Sequence, residues 1–249
     1  SYLQTINRIY PFYFKKFAYS VSIKELLDLG YLCKLDYKHY TDFDVSEIKI
    51  NTTGADFDEN SLERFWNDKR LKKLSEVIKE IDNSCKHNLI FCSSVRQAQR
   101  CCEMMKDMGM SVDYVTSNDN TKDRDKKVLS FRNGEVKHMC NVGVLSLGFD
   151  FPELDCITLA RATISLTLYY QMVGRGMRPY CDKEKCLVID ITDNVKRMGK
   201  VETIKLDKEE GGFRDIVTTE VGEISNKPLF KFKLKDQDKI NKILKNTGT

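Results

Sequence analysis

The sequence lacks the features of membrane and secreted proteins. Its 249 residues contain no apolar run long enough to cross a bilayer. The aromatic start, residues 1–20, is interrupted by Arg8, Lys15 and Lys16, and no small-residue cleavage site follows it. We therefore expect neither a signal peptide nor a membrane partner.

The sequence also lacks the spacing of a metal site. It has nine cysteines but no C-x-x-C pair, and its three histidines are scattered. Most of the cysteines lie within apolar runs, where a free thiol behaves as a small hydrophobic group. The pattern indicates reduced intracellular thiols and no metal, with a structural zinc at Cys181 and Cys186 as the alternative.

A strong excess of one charge is missing as well. The 41 basic residues nearly match the 37 acidic ones, and a net charge of +4 permits a nucleic-acid partner without requiring one. The basic residues are concentrated near the end, where 227–245 holds seven lysines and two acids among apolar residues. This pattern favours a solvated amphipathic tail, and a contact with phosphate backbone is the alternative.

The middle of the sequence alternates short apolar runs with helical periodicity. This alternation predicts an open, mostly parallel sheet with helices on both faces. Ser94 and Gln97 have the spacing of a capping box at the start of one helix. Ligand contacts are expected at the carboxyl edge of the sheet, near the loops 117–121, 146–153 and 161–165. The predicted strands are 88–92, 111–116, 137–145, 155–160 and 185–191.

Changes in composition divide the chain into four segments. Residues 1–35 are predicted to be the end of a preceding lobe or a docking segment. Residues 36–70 are polar and are predicted to be a connector with one short helix near 62–65. The α/β domain is expected over 71–205, and 206–249 form a basic extension.

Three stretches then occur in a fixed order. They are the strand and helix at 88–108, "NVGVLSLGFDFPELD" at 141–155 and "YYQMVGRGMRP" at 169–179. Together they resemble motifs IV, V and VI in the second RecA-like lobe of superfamily 2 helicases, and the flanking phrases look like RadD-like and phage DNA helicases. The Q-x-x-G-R-x-x-R core is specific because a G-F-D turn precedes it by about 20 residues. The resemblance implies a RecA-like fold that takes part in the hydrolysis of ATP with Mg²⁺ and contacts DNA, or RNA, through the phosphate backbone.

Two arginines of the third stretch have the chemistry of a phosphate site. Arg175 and Arg178 are three residues apart, so that both side chains leave one face of a helix. A guanidinium group stays charged when partly buried and binds phosphate oxygens in pairs. The resemblance implies that both are arginine fingers and that Gln171 hydrogen-bonds near the γ-phosphate or the attacking water. The alternative is a helix end whose arginines pair with Asp190 or Asp193.

By resemblance, the second stretch, residues 141–155, contains contacts for the nucleotide and for the nucleic acid. By resemblance, Gly148, Asp150 and Gly174 lie beside the nucleotide, with Asp150 touching the ribose or organising the arginines. Ser146 matches a hydroxyl position that contacts the nucleic-acid backbone. Relatives usually carry an acid where this chain has Leu147, so no role of that acid carries over. The alternative for Asp150 is an ordinary turn residue.

Further polar residues follow the predicted strands. Hydroxyl groups and arginines suit phosphate oxygens, and such contacts position a protein without reading base sequence. Each of these residues also has an ordinary cap or turn role as the alternative. The predicted nucleic-acid contacts are Ser93, Ser94, Arg96, Thr116, Ser117, Arg161 and Thr163.

One further absence shapes the functional hypothesis. The sequence contains no G-x-x-x-x-G-K-[ST] loop, and no aliphatic strand precedes Asp58 and Glu59 as an acidic Mg²⁺ motif requires. By resemblance both elements belong to a first RecA-like lobe. We expect the chain to be half of a cytoplasmic DNA helicase or translocase, in the host cytoplasm if viral, and inactive alone. The alternatives are a translocase subunit of a restriction system and a non-catalytic nucleic-acid-binding or interaction module.

Overall fold

A computed structural model describes residues 21–40, 43–144, 150–208 and 215–223. Its centre is a six-stranded sheet formed by β1 (Lys34–His39), β2 (Asn88–Cys92), β3 (Val112–Thr116), β4 (His138–Val142), β5 (Cys156–Ala160) and β6 (Lys185–Asp190). The strand order is β1-β6-β5-β2-β4-β3, and every neighbouring pair is parallel. The predicted parallel α/β sheet is confirmed.

Helices connect the strands, and a small antiparallel sheet follows them. The helices are α1 (Ile23–Asp28), α2 (Glu59–Phe65), α3 (Asp68–Ile81), α4 (Val95–Asp107), α5 (Thr121–Arg132), α6 (Leu166–Gly174) and α7 (Asn194–Met198). Single 3₁₀ turns lie at Asp82–Ser84 and Val201–Thr203. The small sheet consists of β7 (Lys205–Lys208), β8 (Asp215–Thr219) and β9 (Gly222–Glu223).

The apolar core lies on both faces of the large sheet. Successive side chains of a strand point to opposite faces. In β2, Ile90 and Cys92 therefore join the core beneath α3 and α4, whereas Leu89 and Phe91 join the core beneath α5, α6 and α7. All five residues of β2 are buried, as expected for a central strand covered on both sides. Helices cover both faces, as the sequence predicted.

The segment interpreted as a connector contributes to the sheet and to the core. Most of β1 lies in it, and β1 pairs with β6 along its whole length. Phe43, Phe65 and Trp66 from the same segment are buried in the core under α3. The short helix expected there is confirmed as α2. Strand β1 was not predicted, because this edge strand has one neighbour and its outward residues are polar.

A buried polar chain crosses the amino-terminal edge of the sheet. The His138 ring lies 3.0 Å from Asp82 Oδ1 through Nε2 and 3.2 Å from Asn88 Nδ2 through Nδ1. Thr158 Oγ1 donates to Asn88 Oδ1 at 3.0 Å, and Lys137 Nζ lies 2.9 Å from Asp82. Strands β2, β4 and β5 are thereby joined by side chains as well as by their backbones.

This chain makes the fold sensitive to acid. Burial lowers the pKa of His138, which the nearby Asp82 only partly offsets. Burial alone would raise the pKa of Asp82, but hydrogen bonds from Lys137 and His138 lower it to about 2. Both groups bind protons more readily in the unfolded chain, so the free energy of unfolding should fall as pH drops below about 6.5 and again below about 4.

Urea unfolding at several pH values measures this loss. We expect His138→Gln, which keeps amide groups at the site, to show a smaller decrease between pH 7.5 and 5 than the parent protein. An identical decrease in both proteins would show that His138 is not responsible.

Candidate functional site

The ends of β2 and β5 meet at the carboxyl edge through one glutamine. Gln97 is buried, and its Oε1 accepts hydrogen bonds from Ser93 N and Ser93 Oγ, both at 2.7 Å. Its Nε2 donates to Ala160 O at 2.9 Å. Ser94 caps α4, with Oγ 3.1 Å from Gln97 N. The predicted cap is confirmed, although Gln97 bonds Ser93 rather than the Ser94 N–H of a capping box. Arg96 is exposed beside them.

The edge strand β3 ends in a turn held by an aspartate. Asp119 Oδ2 accepts from Thr116 N at 2.6 Å and from its hydroxyl at 3.4 Å. Lys127 pairs with the other oxygen of Asp119 at 2.6 Å and lies over the Tyr114 ring. Thr116 is buried and serves this turn, whereas Ser117 is exposed at the edge. Of the two, Ser117 is the residue that a ligand can reach.

The segment that follows β5 is fixed from two sides. Thr163 is fully buried, and its Oγ1 lies 2.9 Å from both carboxylate oxygens of Asp56 and accepts from Ser165 N at 3.0 Å. Asn194 accepts from Thr163 N at 3.0 Å and donates to Arg161 O at 2.9 Å. The hydroxyl of Thr163 is thus committed to the fold, which leaves Arg161 as the contact that this segment can offer.

The arginines predicted for phosphate lie where α6 ends. Ser165 caps the start of α6, whose last residue is Gly174, and Arg175 continues with helical backbone angles. Arg178 Nη1 lies 3.0 Å from Asp150 Oδ1, with the arginine side chain 32% exposed and the aspartate 74% exposed. Asp150 therefore contacts Arg178, and Gln171 lies half-buried one helical turn before Arg175.

The carboxylates proposed as alternative partners serve another part of the fold. Asp190 is buried at the carboxyl end of β6, where it accepts from Thr192 N at 3.2 Å and Val195 N at 2.7 Å. Burial raises the pKa of Asp190, and these backbone hydrogen bonds oppose that rise. Asp193 follows at the same edge, with a left-handed backbone angle φ of 55° before α7. Asp190 is thus engaged where α7 begins, away from Arg178.

Arg175 and Arg178 lie close enough to influence each other. Burial lowers the pKa of Arg175, and the charge of Arg178 lowers it further, whereas Asp150 raises it. Two like charges held together in this way are stabilised by a ligand with several negative charges. A Cβ atom at Gly174 would meet nothing within 4 Å among the described residues. Within the described part of the chain nothing therefore crowds the backbone at Gly174, and two neighbouring guanidinium groups have the chemistry that binds phosphate oxygens.

The structure separates the predicted residues into two groups at opposite edges of the sheet. Asp150 O accepts from Arg132 at the end of α5, and Cys33, just before β1, donates to Met177 O at 2.7 Å. Both contacts place the arginine pair near the amino-terminal edge. The loop 146–153 was predicted at the carboxyl edge, and for its described part, 150–153, this prediction is wrong. Ser146 and Gly148 lie outside the described residues.

Comparison with known proteins identifies the domain that carries both groups. Residues 69–180 match the family model described as the helicase conserved C-terminal domain. Residues 69–180 form a helicase C-terminal domain. The chain is 34% identical over 182 residues to IRC3 of Saccharomyces cerevisiae, which is named as a candidate ATP-dependent helicase. The match covers 70% of this chain and 26% of that protein.

Two further proteins are similar to the chain that carries this helicase C-terminal domain. A 51.5 kDa protein of a Lactococcus phage is 28% identical over 199 residues, which is 78% of this chain and 42% of that protein. A fragment structure of a candidate HsdR subunit of a type I restriction enzyme from Vibrio vulnificus superposes with a TM-score of 0.62 and 20% identity. It covers 78% of this chain and 39% of that chain, and shows the RecA-like fold alone. The chain thus spans less than half the length of the two curated relatives.

The described part of the chain contains no cluster of metal ligands. Cys181 is exposed and Cys186 is buried, and no group of three histidine, cysteine or acidic side chains there could hold a metal ion. The helices in the described ranges are all too short or too polar to cross a membrane.

Several residues that hold the segments of the candidate site were not predicted from the sequence. Asp56 is distant in sequence from Thr163, and Lys183 lies just beyond the matched family segment. Gln97 was read only as half of a capping box. Their roles depend on contacts between strands that no local pattern records, so only the three-dimensional structure could reveal them.

Proposed function

We propose that this chain supplies the second motor lobe of an ATP-dependent superfamily 2 helicase or translocase that acts on DNA. The observation that carries the proposal is the pair Arg175 and Arg178, held beside Asp150 at the end of α6 within a helicase C-terminal domain. ATP with Mg²⁺, bound mainly by a first lobe, supplies the phosphoanhydride bond whose hydrolysis drives movement.

In this proposal the residues at the amino-terminal edge of the sheet act on ATP, and those at the carboxyl edge contact the nucleic acid. Arg175, half-buried, is positioned to hold a guanidinium charge against developing negative charge on phosphate oxygens. Arg178 forms a partly exposed ion pair with Asp150, which contributes about 1 kcal/mol, so phosphate can replace Asp150 at little cost in free energy. Gln171 would orient the phosphate or the attacking water from the same helix. Gly174 leaves the backbone accessible.

The carboxyl edge is proposed to contact the nucleic-acid backbone. The accessible candidates are Ser93 and Ser94 at the end of β2, Arg96 on α4, Ser117 after β3 and Arg161 after β5. They carry hydroxyl and guanidinium groups, which bind phosphate oxygens without reading bases. Thr116 and Thr163 would support this surface from beneath through their buried hydrogen bonds.

Hydrolysis of ATP by the complete gene product tests the proposal. We expect single-stranded or duplex DNA to stimulate the hydrolysis rate, and residues 1–249 alone to hydrolyse ATP negligibly, because they contain no phosphate-cradling loop. Stimulation by RNA but not DNA would change the substrate assignment. A complete gene product that hydrolyses no ATP with any nucleic acid would contradict the motor function and favour a non-catalytic binding module.

A further inference from the structure

A third basic side chain lies behind the arginine pair. Lys183, in the loop between α6 and β6, is half-buried. Its ammonium group donates to Pro152 O at 3.0 Å and to Arg178 O at 2.9 Å. One side chain therefore bridges the segment that follows Asp150 and the backbone of Arg178.

These contacts close a ring around the Asp150–Arg178 ion pair. Asp150 contacts the guanidinium group of Arg178, Pro152 lies two residues after Asp150, and Lys183 connects Pro152 to Arg178. Arg132, at the end of α5, holds the same segment through a 2.6 Å hydrogen bond to Asp150 O. The separation of Asp150 and Arg178 is thus set by two basic residues whose N–H groups bind backbone carbonyls.

Lys183 lies in a position where burial disfavours the charged form of its side chain. Burial lowers its pKa, and the charge of Arg178 lowers it too, while Cys186, Cys33 and Asp155 oppose that change. A partly buried ammonium group persists when its donors are satisfied, and here two carbonyl oxygens satisfy them. Loss of the ammonium group would leave both carbonyls without this donor and leave the two segments linked by the Asp150–Arg178 ion pair without this second support.

We propose that Lys183 is a positioning residue, which fixes Arg178 against the Asp150 segment and so holds the Arg178 side chain in the geometry required for ATP hydrolysis. The inference rests on the proposed function, because it assigns Lys183 a role in that reaction. Lys183 acts through Arg178 and makes no contact with the substrate in this assignment. A misplacement of about 1 Å at such a site can reduce a rate by up to about 100-fold.

A double-mutant cycle in the complete gene product tests this role. Lys183→Met keeps most of the aliphatic stem and removes the donors. We expect it to lower kcat for nucleic-acid-stimulated ATP hydrolysis about tenfold with little change in KM for ATP. In an Arg178→Ala background the same change should lower kcat less than about twofold, because the residue being positioned is already gone. Lys185→Met is the matched control, since exposed Lys185 pairs with Asp36 on the surface.

The outcomes separate the two hypotheses. Equal losses from Lys183→Met in both backgrounds, or no loss in either, would overturn the positioning role while the motor function stands. Full activity of Arg178→Ala by itself would instead overturn the proposed role of Arg178, and the role of Lys183 with it. Thermal melting of each variant identifies a folding defect. If Lys183→Met does not fold, the same cycle with Lys183→Gln, whose amide is too short to span both carbonyls, is judged by the same criteria.

Discussion

Replacing Arg175 by alanine in the complete gene product is expected to lower nucleic-acid-stimulated ATP hydrolysis by about 1000-fold. An arginine that faces transferring phosphate typically contributes about 10³–10⁵ in kcat. Arg175 should have the larger effect of the two arginines, because partial burial lowers its pKa and shields its charge from part of the solvent, while Arg178 is paired with an exposed carboxylate. Charges act more strongly on a transition state in such a site than in solvent.

Steady-state kinetics with saturating nucleic acid measures this effect. We expect the loss mainly in kcat, with binding of nucleic acid to the nucleotide-free protein unchanged, because the carboxyl-edge contacts are separate. Arg175→Lys should recover only part of the rate, since an ammonium group cannot bind two phosphate oxygens in the planar geometry of a guanidinium. Arg64→Ala, at an exposed position of α2, is the control and should retain the parent rate. Hydrolysis by Arg175→Ala within a fewfold of the parent would remove Arg175 from the catalytic assignment.

Gly176→Ala is expected to destabilise the domain by about 3 kcal/mol, at the upper end of overpacking changes in cores. A Cβ atom at this position would collide with Cys186 Sγ and would lie 2.9 Å from Ile157 Cδ1 and 3.1 Å from Cys186 Cβ. Cys186 and Ile157 are both fully buried, so neither can move into solvent. The backbone between Arg175 and Arg178 would have to shift outward, and ATP hydrolysis should fall with stability.

Urea unfolding measures the change in stability, and a neighbouring glycine supplies the control. Gly174→Ala meets nothing within 4 Å among the described residues and should leave the free energy of unfolding equal or slightly higher, because alanine favours helix. Cys186→Ala combined with Gly176→Ala should recover part of the lost stability by making room for the new methyl group. If Gly176→Ala proved as stable as the parent, close packing under the arginine pair would not explain this glycine.

The buried strands were predictable because each has a strong local pattern of apolar residues. After Asn88, strand β2 is apolar, and Ser94 is a typical cap for the helix that follows it. The edge strand β1 escaped notice because half of its residues face solvent and its pairing with β6 is distant in sequence. A strand that is buried on both faces can be predicted from a short run of apolar residues. An edge strand such as β1 has no comparable local pattern.

The candidate site was predictable in its chemistry but not in its arrangement. The spacing of Arg175 and Arg178 follows from helical geometry. Asp150, which pairs with Arg178, was among the residues expected to organise the arginines. That Thr163 is sealed by Asp56, however, depends on a contact across 107 residues of sequence. The position of Asp150 at the amino-terminal edge likewise depends on its contacts with Arg132 and Arg178, which are distant in sequence.

The path of α6 has a consequence for how the two edges communicate. The helix starts just after Arg161 and Thr163 at one edge and ends just before Arg175 at the other, over nine residues or roughly 13 Å. A rigid displacement of this single helix would therefore reach the phosphate-facing arginines and the nucleic-acid surface at the same time. The two edges would then move together, and the size of the movement would depend on how far α6 shifts along its own axis.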